Sequence, residues 1–236
     1  MTKKEFIIVL RESFKEYAAE TGFKVNSKGY LVKKTKTHTY NIFIVLNSYD
    51  TVMVRSIFPF IQFSYIEEPL CRIHFFDCKE SEIKDNTQTS KTIGCFEEQI
   101  LMLDLDIYLE LEIAIFTDLL KAYINDVANP FFEKYSDLQY INQEILANDM
   151  PYQEGKGYDA TVFDFHKVPI LRGDLKGVQR RMFIMKYCKD SRYNDFVRWY
   201  ENKIDTNEFQ AAEWDLTKRR KIINDTKEYL ANLKID

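Results

Sequence analysis

Glycine and proline are scarce in this sequence. The chain of 236 residues contains 7 glycines and 5 prolines, whereas hydrophobic residues make up 45% of it and aromatic residues 15%. This composition argues against a disordered chain and against an all-β fold that is rich in tight turns. A chain of this length buries roughly 70 to 75% of its unfolded surface. We therefore expect long elements around a sizeable core, in one large domain or two small ones.

Motifs that bind phosphate groups or metal ions are also missing from the sequence. It contains no glycine-rich phosphate loop or dinucleotide fingerprint, and no nucleophile in a strained turn accompanies Asp164 and His166. The four cysteines and three histidines do not have zinc-type spacing, so we interpret the cysteines as buried, reduced thiols. The sequence therefore predicts no cofactor, no metal site and no catalytic residues.

Long apolar runs are missing as well. Near the start, only the five apolar residues from Phe6 to Leu10 precede the charge of Arg11. Such a run is too short for the apolar region of a signal peptide and far too short to cross a membrane. We therefore expect a cytoplasmic protein that has no contact with a membrane.

The sequence does contain an apolar stretch from Tyr40 to Phe76, which predicts three consecutive β-strands. Its residues alternate from Tyr40 to Leu46, from Val52 to Tyr65 and from Leu70 to Phe76. Pro59 predicts a bulge or a strand edge, because proline has no N–H group to donate. Residues 23–25 and 30–32 predict a hairpin before this stretch, which we call the lysine-rich hairpin because it carries Lys24, Lys28, Lys33, Lys34 and Lys36. We therefore expect an antiparallel meander of about five strands.

Helical patterns flank the predicted strands. Thr2 and Glu5 predict a capping box at the start of an amphipathic helix, which Gly22 ends. The segment from Asp104 fits strand alternation at first, yet it also fits helical spacing as far as Asn129. We prefer the helix because its template runs longer. Pro130 then breaks or kinks this helix.

Polar segments predict loops and boundaries. Residues 79–91 predict a long surface loop, and the stretch from Asp149 to Gly157 is the best candidate for a boundary between subdomains. Beyond it the periodicity predicts only helices, the last of them capped by Thr206. The predicted fold is α+β. Residues 1–150 form an antiparallel sheet packed by an N-terminal helix and central helices, and residues 151–236 form a helical C-terminal subdomain.

Charge is distributed unevenly, although the net charge of the whole chain is only −4. Residues 96–154 contain thirteen acidic residues against two lysines, which leaves a net charge of −11. Such a surface attracts a basic protein and repels nucleic acid, unless another part of the chain neutralises it. We predict that the acidic central helices bind a basic partner protein. The predicted contact residues are Asp106, Glu110, Glu112, Asp118 and Asp126.

Two other classes of function stay open. The first is an enzyme or small-molecule-binding protein with a pocket at Arg72, His74 and Asp77, at the end of the central strands. The second is nucleic-acid binding through the lysine-rich hairpin and the basic cluster Lys218–Lys221. Lysines also protect edge hairpins against strand addition and occur on solvated helix faces. We therefore favour the protein partner.

The order of these parts is similar to that of a known domain family. An N-terminal helix, Gly22-Phe23-Lys24 at the start of a lysine-rich hairpin, aromatic strands, and residues 122–132 (AYINDVANPFF) leading into Ser136-Asp137-Leu138 carry the similarity. Together they resemble a domain family of unknown function found among immunity proteins of bacterial polymorphic toxin systems. The resemblance covers about residues 6–145. It implies a small cytoplasmic protein that binds and neutralises a cognate toxin and has no catalytic residues.

Overall fold

The computed structural model describes residues 1–48, 51–146, 152–153, 157–158, 174–208 and 210–234. The chain forms two units, each built from two separate stretches. Unit 1 comprises Met1–Ser64 and Ile93–Ser136, and unit 2 comprises Tyr65–Thr92 and Asp137–Asp236. The predicted boundary around residue 150 falls mostly on residues outside the described ranges. The observed division differs from it, because Tyr65–Thr92 groups with the C-terminal part of the chain.

Two helices begin unit 1 in the region where the sequence predicts one. Helix α1 spans Lys3–Ser13 and helix α2 spans Lys15–Thr21. The predicted capping box is present: the Glu5 N–H donates to Thr2 Oγ1 at 3.3 Å, and Glu5 Oε2 accepts from the Thr2 N–H at 2.7 Å. Gly22 ends α2 with a φ of 80°, in the left-handed region that glycine adopts without steric cost.

Unit 1 also contains a five-stranded antiparallel sheet, which confirms the predicted α+β fold. The strands follow each other in chain order: β1 (Lys24–Val25), β2 (Leu31–Lys34), β3 (Thr39–Ser48), β4 (Val52–Gln62) and β5 (Leu101–Ile107). Ile42 lies opposite Pro59 and Ile44 lies opposite Ile57. The pairing with β5 ends at Ile57, so Pro59 lies beyond it, where its missing N–H costs least.

The segment that we predicted as one helix from Asp104 divides into a strand and a helix. It belongs to β5 as far as Ile107, and helix α5 spans Glu110–Tyr123. The helical prediction is therefore wrong for residues 104–107 and confirmed from residue 110 onward. Alternation prevails where β4 supplies a pairing partner. Helical spacing prevails where the Phe116 ring packs 6.0 Å from the ring of Phe6 in α1.

A change of helical geometry follows α5. The π-helical turn Ile124–Ala128 joins α5 to helix α6, which spans Asn129–Tyr135. Pro130 lies in the first turn of α6, where a helix tolerates a residue without an N–H group. The helical backbone therefore continues through Pro130, and one wider turn precedes it in place of the predicted break.

The prediction of a third strand at Leu70–Phe76 is wrong. Helix α3 spans Ser64–His74 instead, and its buried residues recur at helical spacing. Periodicity alone did not separate helix from strand here, because the segment is apolar at nearly every position. Pro69 lies inside this helix and cannot donate to the Tyr65 carbonyl, which the Tyr187 hydroxyl approaches at 3.5 Å. The predicted loop at residues 79–91 is also a helix, α4 (Glu80–Thr89).

Unit 2 consists mainly of helices. Besides α3 and α4 it contains α7 (Leu138–Tyr140), a π-helical turn (Ile141–Leu146), α8 (Asp174–Tyr187), α9 (Tyr193–Asp205) and α10 (Glu213–Asn232). The two-residue strands β6 (Tyr152–Gln153) and β7 (Gly157–Tyr158) pair at the stretch that the sequence predicts as a boundary between subdomains. Thr206 follows α9 and does not cap the last helix, which begins after Ala212. Residues 159–173 of the predicted helical subdomain lie outside the described residues.

Within the described ranges, no helix combines the length and the apolar character that crossing a membrane requires.

Candidate protein-binding surface

The five acidic residues that we predicted to bind a partner all lie in unit 1. Asp106 is in β5, Glu110 and Glu112 are in the first turn of α5, and Asp118 is in the middle of that helix. Asp126 is in the π-helical turn. Glu110, Asp118 and Asp126 are exposed, whereas Asp106 and Glu112 are partly buried. The structure therefore distributes this set over three consecutive elements of one unit.

Glu112 has a structural role within this set. Its Oε2 atom accepts hydrogen bonds from the backbone N–H groups of Leu109, at 3.0 Å, and of Tyr108. These bonds, that of Leu109 above all, hold the pKa of Glu112 below its usual value. They also satisfy N–H groups that would otherwise lack a partner at the start of the helix. We therefore assign Glu112 to the start of α5 and not to the binding of a partner.

The other carboxylates of the set are largely available to a partner. Asp118 accepts from Lys121 at 3.1 Å, and this pair is exposed, so it contributes little stability. Asp106, Glu110 and Asp126 form no ion pair with another residue in the described part of the chain. Their negative charges are therefore not neutralised locally.

The solvent-facing side of α5 carries exposed apolar side chains. Leu111 is 70% exposed and Ile115 is 60% exposed, while Ile113, Phe116 and Leu120 on the opposite side are completely buried. A helix that is apolar on all sides is typical of a protein interior. We use the term α5 surface for the exposed residues on this side. They are Glu110, Leu111, Ala114, Ile115, Asp118 and Ala122.

The sequence pattern did not predict this surface. The helical spacing from Asp104 to Asn129 is carried by a stripe that includes Ile113 and Phe116, whereas Leu111 and Ile115 belong to the competing strand alternation. Apolar residues on both sides of one helix were the signal that could have revealed it. Once α5 begins at Glu110, Leu111 and Ile115 fall together at helical spacing.

A groove with a volume of about 270 Å³ lies at the end of α5. Leu119, Ala122 and Tyr123 of α5 contribute to its lining, together with residues that precede β5. The Tyr123 hydroxyl donates to the Gln99 carbonyl at 2.6 Å, which joins the end of α5 to the segment before β5. Burial raises the pKa of Tyr123, so this hydroxyl remains a protonated donor.

The edge of the sheet beside α5 is protected against strand addition. Among the described strands β5 is the last of the sheet. Its pairing with β4 changes register between Val54 and Ser56 of β4. Asp104 has a φ of 51° at this irregularity, and its Oδ1 atom lies 2.6 Å from Arg55 Nη1. Bulges and charged side chains both discourage the pairing of a further strand. A partner should therefore bind through side chains and not by extending the sheet.

The second predicted site, Arg72, His74 and Asp77, lies in unit 2. Arg72 and His74 are in the last turn of α3 and Asp77 follows it, so these residues end a helix and not a strand. Arg72 lies 2.7 Å from Glu80, His74 Nδ1 lies 2.9 Å from Gln179 Oε1, and Asp77 lies 3.7 Å from Lys218. Within the described ranges, no hydrogen bond or ion pair joins two of the three predicted residues.

His74 belongs to a buried polar cluster that the sequence pattern did not predict either. Gln179 Nε2 donates to Thr226 Oγ1 at 3.1 Å, and Arg180 donates to both carboxylate oxygens of Glu67, at 2.8 and 3.0 Å. Burial lowers the pKa of His74, and the charges of Lys176, Lys218 and Arg180 act in the same direction, while the hydrogen bond with Gln179 opposes them. Recognising α3 as a helix would have placed Glu67 on its buried side.

The basic cluster Lys218–Lys221 is balanced by carboxylates of the same unit. Each of its four residues forms an ion pair: Lys218 with Asp77, Arg219 with Asp215, Arg220 with Asp205 and Glu213, and Lys221 with Asp225. Little net positive charge remains for a phosphate backbone. This arrangement weakens the nucleic-acid alternative.

The remaining candidates for chemistry add no site. The four cysteines are free, and only Cys71 is buried, so the prediction of buried thiols holds for that residue and is wrong for Cys78, Cys95 and Cys188. In the part of the chain that the structure describes, no three His, Cys, Asp or Glu residues are arranged to hold a metal ion. Asp164 and His166 lie outside the described residues.

No protein-family model, curated protein or solved structure matches this chain. Its function is therefore inferred from the geometry and charge of the α5 surface and the neighbouring groove.

Proposed function

We propose that this chain is a non-catalytic, cytoplasmic protein-binding module whose α5 surface binds a basic protein. The observation that carries the proposal is the exposure of Leu111 and Ile115 beside the carboxylates of Glu110 and Asp118. Exposed apolar residues with a polar rim are typical of protein interaction sites. Covering this side of α5 would remove its apolar side chains from water, which favours association.

The carboxylates around the apolar residues select the kind of partner. A basic protein is attracted over distances of several ångströms, which raises its association rate more than its final affinity. Salt screens this attraction beyond about 8 to 10 Å. Nucleic acids and anionic membranes carry the same sign of charge as this surface and are repelled.

The resemblance to immunity proteins supports one class of partner. Residues 122–132, which carry much of it, form the end of α5, the π-helical turn and the start of α6. The end of α5 and the π-helical turn also line the groove. An immunity protein binds its cognate toxin, so we propose a basic toxin domain as the partner.

An affinity pull-down from native cell lysate, at low and at high salt, tests the existence of the partner. The matched variant Leu111→Gln/Ile115→Gln removes the exposed apolar side chains and should leave the free energy of unfolding within about 0.5 kcal/mol of the original. We expect one dominant basic protein, enriched at low salt and lost with this variant. If the original protein and the variant capture this partner equally well, the assignment of the α5 surface as the binding site is contradicted.

Association kinetics with the captured protein test the role of charge. Glu110→Lys/Asp118→Lys should lower the association rate at low salt by about tenfold or more. The control Glu16→Lys/Glu20→Lys changes two exposed carboxylates of α2 by the same charge and should have a much smaller effect. An unchanged rate for the α5 variant would exclude an electrostatic role for these residues.

A second candidate function is the binding of a small molecule beside His74. His74 and Lys176 are both partly buried, and burial lowers the pKa of each. Groups with shifted pKa values cluster at ligand sites more often than elsewhere. Recovery of no macromolecule in the pull-down would favour this candidate. A thermal-shift screen of metabolites, with His74→Gln as the control protein, would then test it.

A further inference from the structure

The groove at the end of α5 combines an apolar lining with two carboxylates. Ile100, Leu101, Leu119 and Val127 provide apolar side chains, and Glu98 and Asp126 line the same groove. Both acidic residues are exposed, and neither forms an ion pair with another described residue. The groove therefore offers apolar contact and negative charge at one place.

We infer that this groove is an anchor pocket for one aliphatic side chain of a linear basic segment in the partner. Glu98 and Asp126 bind the lysine or arginine residues that flank the aliphatic residue. The inference rests on the proposed function, because the groove continues the α5 surface. Leu119 follows Ile115 by four residues and Ala122 follows Leu119 by three, and these spacings place helical side chains on one side.

The size of the groove favours a side chain over a cofactor or metabolite. Its volume of about 270 Å³ lies just below the range of roughly 300 to 1,000 Å³ that is usual for small-molecule pockets. One leucine, isoleucine or valine side chain fits within this volume. Protein complexes commonly derive much of their affinity from a few residues that fill pockets of this kind.

Two hydrogen bonds fix the shape of the groove before a partner binds. Tyr123 donates to the Gln99 carbonyl at 2.6 Å, and the Tyr17 hydroxyl donates to Asn125 Oδ1 at 2.8 Å. The second bond holds the π-helical turn that carries Asp126. A site that is already ordered loses less conformational entropy on binding, so a short segment of the partner is enough to occupy it.

Charge disfavours the two other obvious occupants. A second copy of this chain would bring its own carboxylates toward Glu98 and Asp126 if the same surfaces met, which is unfavourable. An anionic membrane surface is repelled for the same reason. A basic protein segment satisfies both the apolar lining and the carboxylates.

Methyl NMR of the full chain, labelled at isoleucine, leucine and valine, tests the inference directly. The probe is a short peptide with one leucine between two pairs of lysines. Two control peptides replace the leucine by serine or the lysines by glutamates. At low salt we expect the lysine–leucine peptide to shift the methyl signals of Ile100, Leu101, Leu119 and Val127, and the two controls to leave them unchanged.

A pair of matched variants locates the bound leucine. Ala122 lines the groove, whereas Ala19 is an exposed residue of α2 that lies outside both the groove and the α5 surface. Ala122→Phe fills the groove and should weaken peptide binding by about tenfold or more, while Ala19→Phe should leave the Kd within about twofold. Both variants place a phenylalanine at an exposed alanine of a helix in unit 1, so a general effect of the added aromatic side chain would appear in both.

The outcomes distinguish this inference from the proposed function. Shifts at Leu111 and Ile115 without shifts in the groove would overturn the anchor pocket and leave the α5 surface as the binding site. No methyl shift anywhere on α5 at about 1 mM peptide would count against both. Equal binding of the glutamate peptide would overturn the role of Glu98 and Asp126. Shifts that depend on protein concentration alone would identify a second copy as the occupant and overturn the inference.

Discussion

At the scale of single residues, the backbone of Asp104 protects the edge of β5. Its φ of 51° lies in the left-handed region, which aspartate tolerates better than a β-branched residue does. Asp104→Val should therefore lower the free energy of unfolding by roughly 1 to 2 kcal/mol. Asp104→Gly should lower it by less than Asp104→Val does, because glycine adopts this φ freely.

Urea unfolding of both variants provides the measurement. Asp106→Val is the matched control, because it makes the same replacement two residues further along β5, where valine suits a strand. Both Asp104 variants lose the exposed ion pair with Arg55, which is worth at most about 1 kcal/mol. Equal losses for valine and glycine would therefore assign the cost to that ion pair and not to the backbone.

The burial of His74 makes stability depend on pH. Its pKa in the folded protein lies below the ordinary value of 6.5, mainly because of burial. As the pH falls below 6.5, the unfolded chain therefore takes up a proton before the folded protein does. This residue imposes no loss above about pH 6.5, and it destabilises the fold progressively as the pH falls from there through the lowered pKa.

The expected result is a smaller loss of stability in acid for His74→Gln than for the original protein. Chemical unfolding between about pH 7.5 and pH 5 covers the range in which histidine titrates. The difference between the two curves gives the contribution of His74 alone. His38, whose pKa is also lowered by burial, contributes equally to both curves. Parallel curves for the two proteins would show that His74 contributes nothing to the acid sensitivity.

At the scale of secondary-structure elements, the buried ion pair of Glu67 and Arg180 joins α3 to α8 within unit 2. The Glu67 side chain is fully buried and that of Arg180 is 6% exposed. Replacing one partner removes the opposite charge that the other, buried partner faces. Glu67→Leu or Arg180→Met alone should therefore lower the free energy of unfolding by roughly 3 to 5 kcal/mol.

Replacing both residues at once should have a much smaller effect. Glu67→Leu/Arg180→Met exchanges two buried charges for apolar side chains, which is often neutral or stabilising. The exposed pair of Arg72 and Glu80 is the control, and Glu80→Gln should cost less than about 1 kcal/mol. If the double variant loses as much free energy of unfolding as the two single variants together, other interactions of these residues dominate.

The same elements show which features a sequence can predict. The capping box of Thr2 and Glu5 and the end of α2 at Gly22 depend on neighbouring residues, so they were predictable. The interior position of β3 followed from apolar residues on both sides of one strand. Helix α3 was not predictable in this way, because residues 70–76 fit either period. Its buried carboxylate, Glu67, is paired with a residue 113 positions away.

The binding surface was predictable only in part. The acidic segment was visible in the sequence as a run of carboxylates, and five of them lie in one unit, as described above. The structure shows that Glu112 caps α5 and that Leu111 and Ile115 are exposed. Which side of a helix packs against a core depends on tertiary contacts such as that of Phe6 with Phe116, which periodicity does not report.

At the scale of the whole molecule, the chain moves between the two units three times, after residues 64, 92 and 136. A fragment of residues 1–150 includes all of unit 1, but it carries α3 and α4 without α8, α9 and α10. We expect this fragment to bind a hydrophobic dye and to aggregate, because the buried side of α3 is left exposed.

Dye fluorescence and sedimentation of the fragment, compared with those of the full chain, provide the measurement. A fragment that lacks residues 65–92 as well, with a short flexible linker in their place, is the matched control and should bind less dye. A monomeric fragment 1–150 with cooperative unfolding would instead support the boundary near residue 150 that the sequence predicts.

The separation of Glu67 from Arg180 also sets an order of events during translation. A ribosome that adds about 5 to 20 residues per second completes Arg180 roughly 6 to 23 s after Glu67, since 113 positions separate them. Through this interval the nascent α3 segment presents its apolar residues and an unpaired carboxylate to the cell. We therefore expect a chaperone to bind the segment Tyr65–Thr92 of the newly made chain during this interval.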